Sequence, residues 1–254
     1  MKSAKFLFLS LTTLTLLSFN FQHTIEVKLE LPVLFESEIV THHLGYVTSY
    51  NHTHFQPNWV AYTLSKSKLN GEAERTNDFQ VDPSIHPETA NTKDYTKSGF
   101  DRGHLAPAAD MSWSMQAMKE SFYMSNISPQ APKFNRGIWK KLEEQVRQWA
   151  HEKPTLFIIT GPILNSQLTR KIGKTHSISV PNLFFKAIAD TSHNGKGIAF
   201  IMKNEGSQLH LNQFVVSIDS LEKVLHRDLF HHIPEKKQLN LEKKSDLKYW
   251  QFKN

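Results

Sequence analysis

The chain has 254 residues and no cysteine. That single absence removes disulfides, thiolate-bound zinc, iron–sulfur centres and thiol catalysis together. Any metal must therefore be held by oxygen and nitrogen. Long apolar runs are also scarce. Residues 6–17 form one, diluted only by Ser and Thr and preceded by Lys2 and Lys5, and it is short for the roughly twenty residues of a membrane span. A basic start followed by a short apolar run predicts a secretory signal peptide over residues 1–24 and hence an exported protein, periplasmic or secreted. No Ala-x-Ala precedes the cleavage region, which leaves an uncleaved N-terminal anchor as the alternative. With no cysteine after the run, a lipid-anchored cysteine is excluded. Internal repeats and low-complexity linkers are missing as well, so residues 25–254 are expected to form a single domain.

What is present argues for a packed core. Hydrophobic residues make up 39% of the chain, and 17 Phe and 5 Trp supply large buried surfaces. A core of that size stands without disulfide staples. The formal charge of +6 permits nucleic-acid binding without demonstrating it, because a local basic surface, not the total, attracts phosphate.

Hydrophobic patterning gives the elements. Residues 46–50 and 59–64 are β-branched and aromatic runs with turn residues between them, the mark of paired strands. Residues 71–99 are polar, with Pro83 and Pro87 as breakers, and read as a long loop. Ile138, Leu142, Val146 and Trp149 recur at helical spacing, predicting a helix over 135–152 that Pro154 stops. Residues 155–160, 178–189 and 197–202 read as strands. Asp219 with Glu222 three residues on resembles a capping box opening a helix as far as Phe230, with Leu221, Val224 and Leu225 inward. Together these predict one α+β domain. The lysines after Pro234 read as a solvated face. The pairs His42-His43, His52-x-His54 and His231-His232 lack a third ligand in evidence and read as structural.

The densest chemistry lies in Asp101-Arg102-Gly103-His104-Leu105-Ala106-Pro107. Phosphodiester hydrolysis needs a base for water, a cation near the phosphorus and usually a divalent metal for the leaving oxygen. His104 is a candidate base and Arg102 a candidate cation. Gly103 leaves the backbone open to close approach, expected here from a substrate.

Ser125-Asn126-Ile127-Ser128-Pro129-Gln130, Asn135-Arg136-Gly137-Ile138-Trp139 and Leu142-Glu143 follow in order, and Arg75 precedes Phe79 and Asp82-Pro83. With these companions, residues 45–234 resemble the DNA/RNA non-specific endonuclease family. The resemblance implies an antiparallel β-sheet core flanked by helices, with a ββα-metal motif at the active site. It implies His104 as general base, Arg75 and Arg102 around the scissile phosphate, and Asn135 as ligand of Mg²⁺, for which Mn²⁺ is a possible substitute. An amide oxygen is a hard neutral donor suited to Mg²⁺. Asn126 is expected near the metal, its waters or the substrate, with a turn residue before Pro129 as the equal alternative. Glu143 lies eight residues beyond Asn135, about 12 Å along a helix, so it is expected to orient bound water or a nearby arginine and not to share the ion directly. The implied activity is metal-dependent cleavage of DNA and RNA with little sequence preference and 5′-phosphate products, with a homodimer as a possible assembly. Two alternatives stand beside it. One is a non-catalytic nucleic-acid-binding relative; the other is a phosphodiesterase acting on small nucleotides or lipid head groups.

Overall fold

The computed structural model describes residues 28–165 and 168–252. The N-terminal segment expected as a signal peptide or anchor lies outside the described residues. Seven strands form one antiparallel sheet. In chain order its members are β1 (Ile39–His42), β2 (Val47–Asn51), β3 (Gln56–Ser65), β6 (Thr155–Pro162), β9 (Leu183–Asp190), β10 (Lys196–Lys203) and β11 (Val215–Val216), and this is also their order across the sheet. Two small two-stranded units stand apart from it. One pairs β4 (Asp101–His104) with β5 (Ile127–Gln130), and the other pairs β7 (Lys171–Ile172) with β8 (Ile178–Ser179). The helices are α1 (Met115–Ser121), α2 (Lys140–Glu152), α3 (Ile218–Leu225) and α4 (Glu235–Lys243). This is the expected α+β architecture.

The central strands are buried on both faces, and their alternation sorts the two cores. On β3, Val60, Tyr62 and Leu64 face one cluster, while Trp59 and Ala61 face the other. Successive side chains of a strand must diverge in this way. The first cluster takes α2 through Leu142, Val146 and Trp149. Each such side chain contributes roughly 1.5–3 kcal/mol on burial. The second cluster takes Ile218 and Leu221 of α3 and Leu241 of α4. The β4–β5 ribbon belongs to the α2 side, since Leu105, directly after β4, is part of the first cluster.

Three expected elements differ. The helix over 135–152 is two pieces: a wider π-type turn over Phe134–Trp139, then α2. Gly137 breaks the ladder at φ −110°, ψ −110°, which a residue without Cβ tolerates. The strand over 178–189 is split by Pro181, which has no N–H to give a ladder. The helix at 218 is capped by Ser217, whose Oγ accepts from Ser220 N at 3.1 Å, and not by an Asp219–Glu222 box. Glu222 instead accepts from Leu229 N at 2.8 Å, and the helix stops at His226 in the left-handed region (φ 51°). Val224 is exposed, not inward.

Candidate active site

Strand β4 runs antiparallel to β5 with Gly103 opposite Ser128 and His104 opposite Ile127. Alternation puts Arg102 and His104 on one face of the ribbon and Asp101 and Gly103 on the other. Gly103 is required by packing: a Cβ there would lie 2.2 Å from Cδ of the buried Gln130. The close approach expected from substrate is therefore made by the protein itself.

His104 is held in an aromatic vice. Its ring lies 4.8 Å from Phe122, edge to face at 86°, and 5.3 Å from Phe79. The same two phenylalanines carry the arginines. Arg75 stacks over Phe122 at 5.1 Å and Arg102 over Phe79 at 5.0 Å. Arginine over an aromatic face is held by cation–π attraction while its N–H fork stays available. Arg75 comes from the long loop, where Asn77 fixes its Nε at 2.7 Å. Arg75, Arg102 and His104, far apart or merely adjacent in sequence, thus share one cluster.

His104 is buried, and its Nε2 has no hydrogen-bond partner among the described residues, nor has Nε of Arg102. Orphaned buried polar atoms are rare and call for a ligand or water. Burial, aided by the charge of Arg75, lowers the imidazole to about 3. The ring is neutral at physiological pH, the state a proton acceptor needs.

Asn135 sits in the π-type turn that follows β5. Its Nδ2 donates to Oδ2 of Asp101 at 2.9 Å, and Arg136 grips the same carboxylate with Nε at 2.8 Å and Nη2 at 2.6 Å. An ionised carboxylate only accepts, so the amide nitrogen must face Asp101 and the amide oxygen must face away from it. Hydrogen bonds from Arg136 and Asn135 outweigh the desolvation of Asp101 and hold its carboxyl below the usual range. A hard neutral oxygen of fixed orientation fits a small divalent cation that keeps most of its waters.

Glu143, one turn into α2, is half-buried. It belongs to a charged layer under the ribbon with Asp110, Arg147 and Lys186. Arg147 Nη1 donates to Asp110 Oδ1 at 2.9 Å, and Tyr62 Oη donates to Oδ2 at 3.0 Å. Lys186 is fully buried on β9, lying 5.0 Å from the Trp139 ring. Burial pushes Glu143 up, against the opposing charge of Lys186, and pushes Lys186 down, against Glu143 and Asp110. Arg75 also lies within the electrostatic reach of Glu143. The lysine was legible as an anomaly, a charge inside the apolar stretch of residues 183–189. Phe122, Asp110 and Arg147 carried no comparable signal.

Asn126 requires a correction. It is fully buried and its amide is spent on backbone. Oδ1 accepts from Ala106 N at 2.9 Å, and Nδ2 donates to Ala106 O at 2.9 Å and Ser121 O at 2.8 Å. Both amide hydrogens are used and the side chain is closed to solvent, which keeps it from substrate and from a metal's waters. Asn126 fixes the segment directly after His104. In two of the three histidine pairs the described residues have protein partners: His43 bonds Asp82 at 2.8 Å, His52 the Pro87 carbonyl at 2.7 Å and His54 the Ser179 hydroxyl at 2.8 Å.

Residues 33–236 match the model of the DNA/RNA non-specific endonuclease family. The zebrafish mitochondrial nuclease EXOG is 40% identical over 205 residues, covering 74% of this chain and 59% of that protein. Human mitochondrial endonuclease G is 34% identical over 180 residues, covering 65% and 60%. A Nostoc nuclease is 31% identical over 215 residues, covering 79% and 76%. The chain therefore spans about 60% of the length of the first two relatives. EndoG in its crystallised complex with the inhibitor EndoGI superposes with a TM-score of 0.74 at 30% identity, covering 81% of this chain and 91% of that one. The expected export, periplasmic or secreted, is overturned by these names: the zebrafish and human relatives are mitochondrial nucleases, while the Nostoc relative is a bacterial nuclease. Family match, relatives and fold agree, and the chain belongs to the DNA/RNA non-specific endonucleases, a family of metal-dependent nucleases.

Proposed function

We propose that the protein is an endonuclease that hydrolyses phosphodiester bonds of DNA and RNA with little sequence preference, using His104 as general base. The observation that carries this reading is the unpartnered Nε2 of a buried, neutral His104, set between two phenylalanines that each hold an arginine. The forks of Arg75 and Arg102 take the oxygens of the scissile phosphate through paired charge-assisted bonds. A water beside Nε2 gives up its proton to the imidazole as it attacks phosphorus. An imidazole lowered to about 3, chiefly by burial and further by the charge of Arg75, is a weak base, and a phosphate on Arg75 relieves the second of these causes by offsetting its positive charge.

Asn135 would hold the divalent ion through its amide oxygen, with Asp101 keeping the amide turned the right way. Mg²⁺ bound there supplies positive charge for the phosphoryl and departing 3′ oxygens, and Mn²⁺ suits the same donor. Glu143 and its layer of buried charges position Arg75 and the groups around it. Contacts made to phosphate carry no base information, which supports action on both DNA and RNA.

Supercoiled plasmid and a structured RNA, each incubated with Mg²⁺ and with chelator, test the reading. Nicking followed by degradation of both, 5′-phosphate ends and complete loss of activity in chelator are expected. Intact substrates under every metal condition would leave a binding protein in its place.

A further inference from the structure

Beside Asn135 a cleft of about 630 Å³ opens between residues 132–141 and the loop at 206–208. Among the described residues three cations line it, Lys133, Arg136 and Lys141, and no carboxylate does. We propose that this cleft is a second phosphate subsite, which binds the backbone of the nucleic-acid strand beyond the scissile phosphate. This rests on the nuclease reading above and deepens it.

The cations are available. Arg136 is 73% exposed, and Asp101 uses its Nε and Nη2 only, so the guanidinium is aimed by one carboxylate while its remaining N–H groups are free for an anion. Among the described residues no ion pair engages Lys133 or Lys141. The nearby acids are matched elsewhere, Glu144 with Lys140 at 3.7 Å and Glu205 with Lys203 at 3.7 Å.

The cleft is also built in advance. Its far wall is pinned by Asn204, whose Oδ1 accepts from Ala131 N at 2.7 Å and whose Nδ2 donates to Pro129 O at 3.0 Å and Pro181 O at 2.9 Å. Asn204 therefore ties the loop to β5, the strand that pairs with the His104 strand. Gly206 packs so tightly that a Cβ would come within 2.7 Å of the Lys133 Cβ. Preformed walls reduce the ordering cost of binding.

The arrangement fits a polynucleotide. Lys133, Arg136 and Lys141 follow one another from the start of the π-type turn into the first turn of α2, a row of cations where a nucleic-acid strand carries a row of phosphates. Past Lys141 the cleft continues along Gln148, Gln208 and His210, where the lining turns largely neutral. Positive charge is thus concentrated at the catalytic end, as a strand leaving the site requires.

The test measures binding of a fluorescent single-stranded oligonucleotide across a salt series. The background is His104→Ala in Mg²⁺, so that nothing is cut. Lys133→Glu with Lys141→Glu is compared with the parent and with Lys236→Glu plus Lys243→Glu, the same charge change on the C-terminal helix. Each lost phosphate contact lowers the slope of log K against log salt by about 0.7 for a single strand. A slope shallower by about 1.4 in the cleft variant, with the control at the parental slope, is the expected result. An unchanged slope, or an equal fall in the control, overturns the subsite. Plasmid cleavage by the wild type reads the nuclease assignment separately, so the two can fail independently.

Discussion

Asn135 in the π-type turn meets Asp101 of β4 at 2.9 Å, amide nitrogen to carboxylate oxygen. The contact decides which end of the amide is free for a metal. Removing the orienting carboxylate should therefore damage metal binding without removing the ligand. Asp101→Ala is expected to weaken Mg²⁺ about 10–100-fold, the usual effect of losing a group that positions a ligand. Asn135→Ala should be worse and only partly rescued by high Mg²⁺. Calorimetric titration with Mg²⁺, alongside nicking rates across a Mg²⁺ series, measures both. Wild-type metal affinity in Asn135→Ala would remove the proposed metal site.

His104 makes a prediction about stability as well as rate. His104→Ala should lower turnover by about 10²–10⁴-fold, the span of a general base. The folded imidazole protonates only at about 3, below its ordinary 6.5. The unfolded chain therefore binds the proton first as pH falls, and stability drains away below pH 6.5, with no contribution above it. At pH 5 the loss is about 2 kcal/mol. Replacing the histidine removes this acid limb. Urea melts at pH 7 and pH 5 should show the variant gaining on wild type by that amount at the lower pH. Parallel losses in the two proteins would show that the buried ring does not resist protonation.

Much of this was legible in the sequence, for identifiable reasons. Strands β3, β6 and β10 announce themselves because both faces are apolar. The Asp101–Pro107 stretch stands out because cation, glycine and imidazole seldom coincide. Asn126 was misplaced because a buried amide that staples backbone and an exposed one that meets substrate are the same letter beside the same motif. Gly103 was read as room for a ligand when it is room for Gln130, a partner 27 positions away that no local pattern reveals. The helix at 135 hid its π-type turn because Ile138, Leu142 and Val146 keep their spacing across the irregularity. The layer of Glu143, Lys186, Asp110 and Arg147 joins three distant segments, so only the folded chain displays it.

Glu143 should behave differently from Asn135. Its carboxylate lies within electrostatic reach of Lys186, Arg147 and Arg75. Glu143→Gln keeps the shape and removes one negative charge near Arg75, while Asp110 still balances Arg147 and faces Lys186, so Arg75 should be displaced from its seat. A kcat lowered by about 10–100-fold with an intact response to Mg²⁺ is expected. The comparison is a Mg²⁺ titration of both variants, with folding checked by circular dichroism. A larger metal-affinity loss in Glu143→Gln than in Asn135→Ala would reverse the two roles.

Asn126→Ala should be chiefly a folding defect. The substitution breaks three buried hydrogen bonds, with Ala106 N, Ala106 O and Ser121 O, and leaves those backbone groups unsatisfied. At about 1 kcal/mol for each bond and more for each stranded partner, a loss of about 3 kcal/mol or more is expected. Because the clamp holds the residues directly after His104, kcat should fall with it. KM for DNA should stay close to wild type, since the side chain has no face toward substrate. Urea melts with steady-state kinetics at a temperature where the variant remains folded separate these effects. A stable variant with a raised KM would return Asn126 to the substrate surface, contrary to its burial and its bonds to backbone.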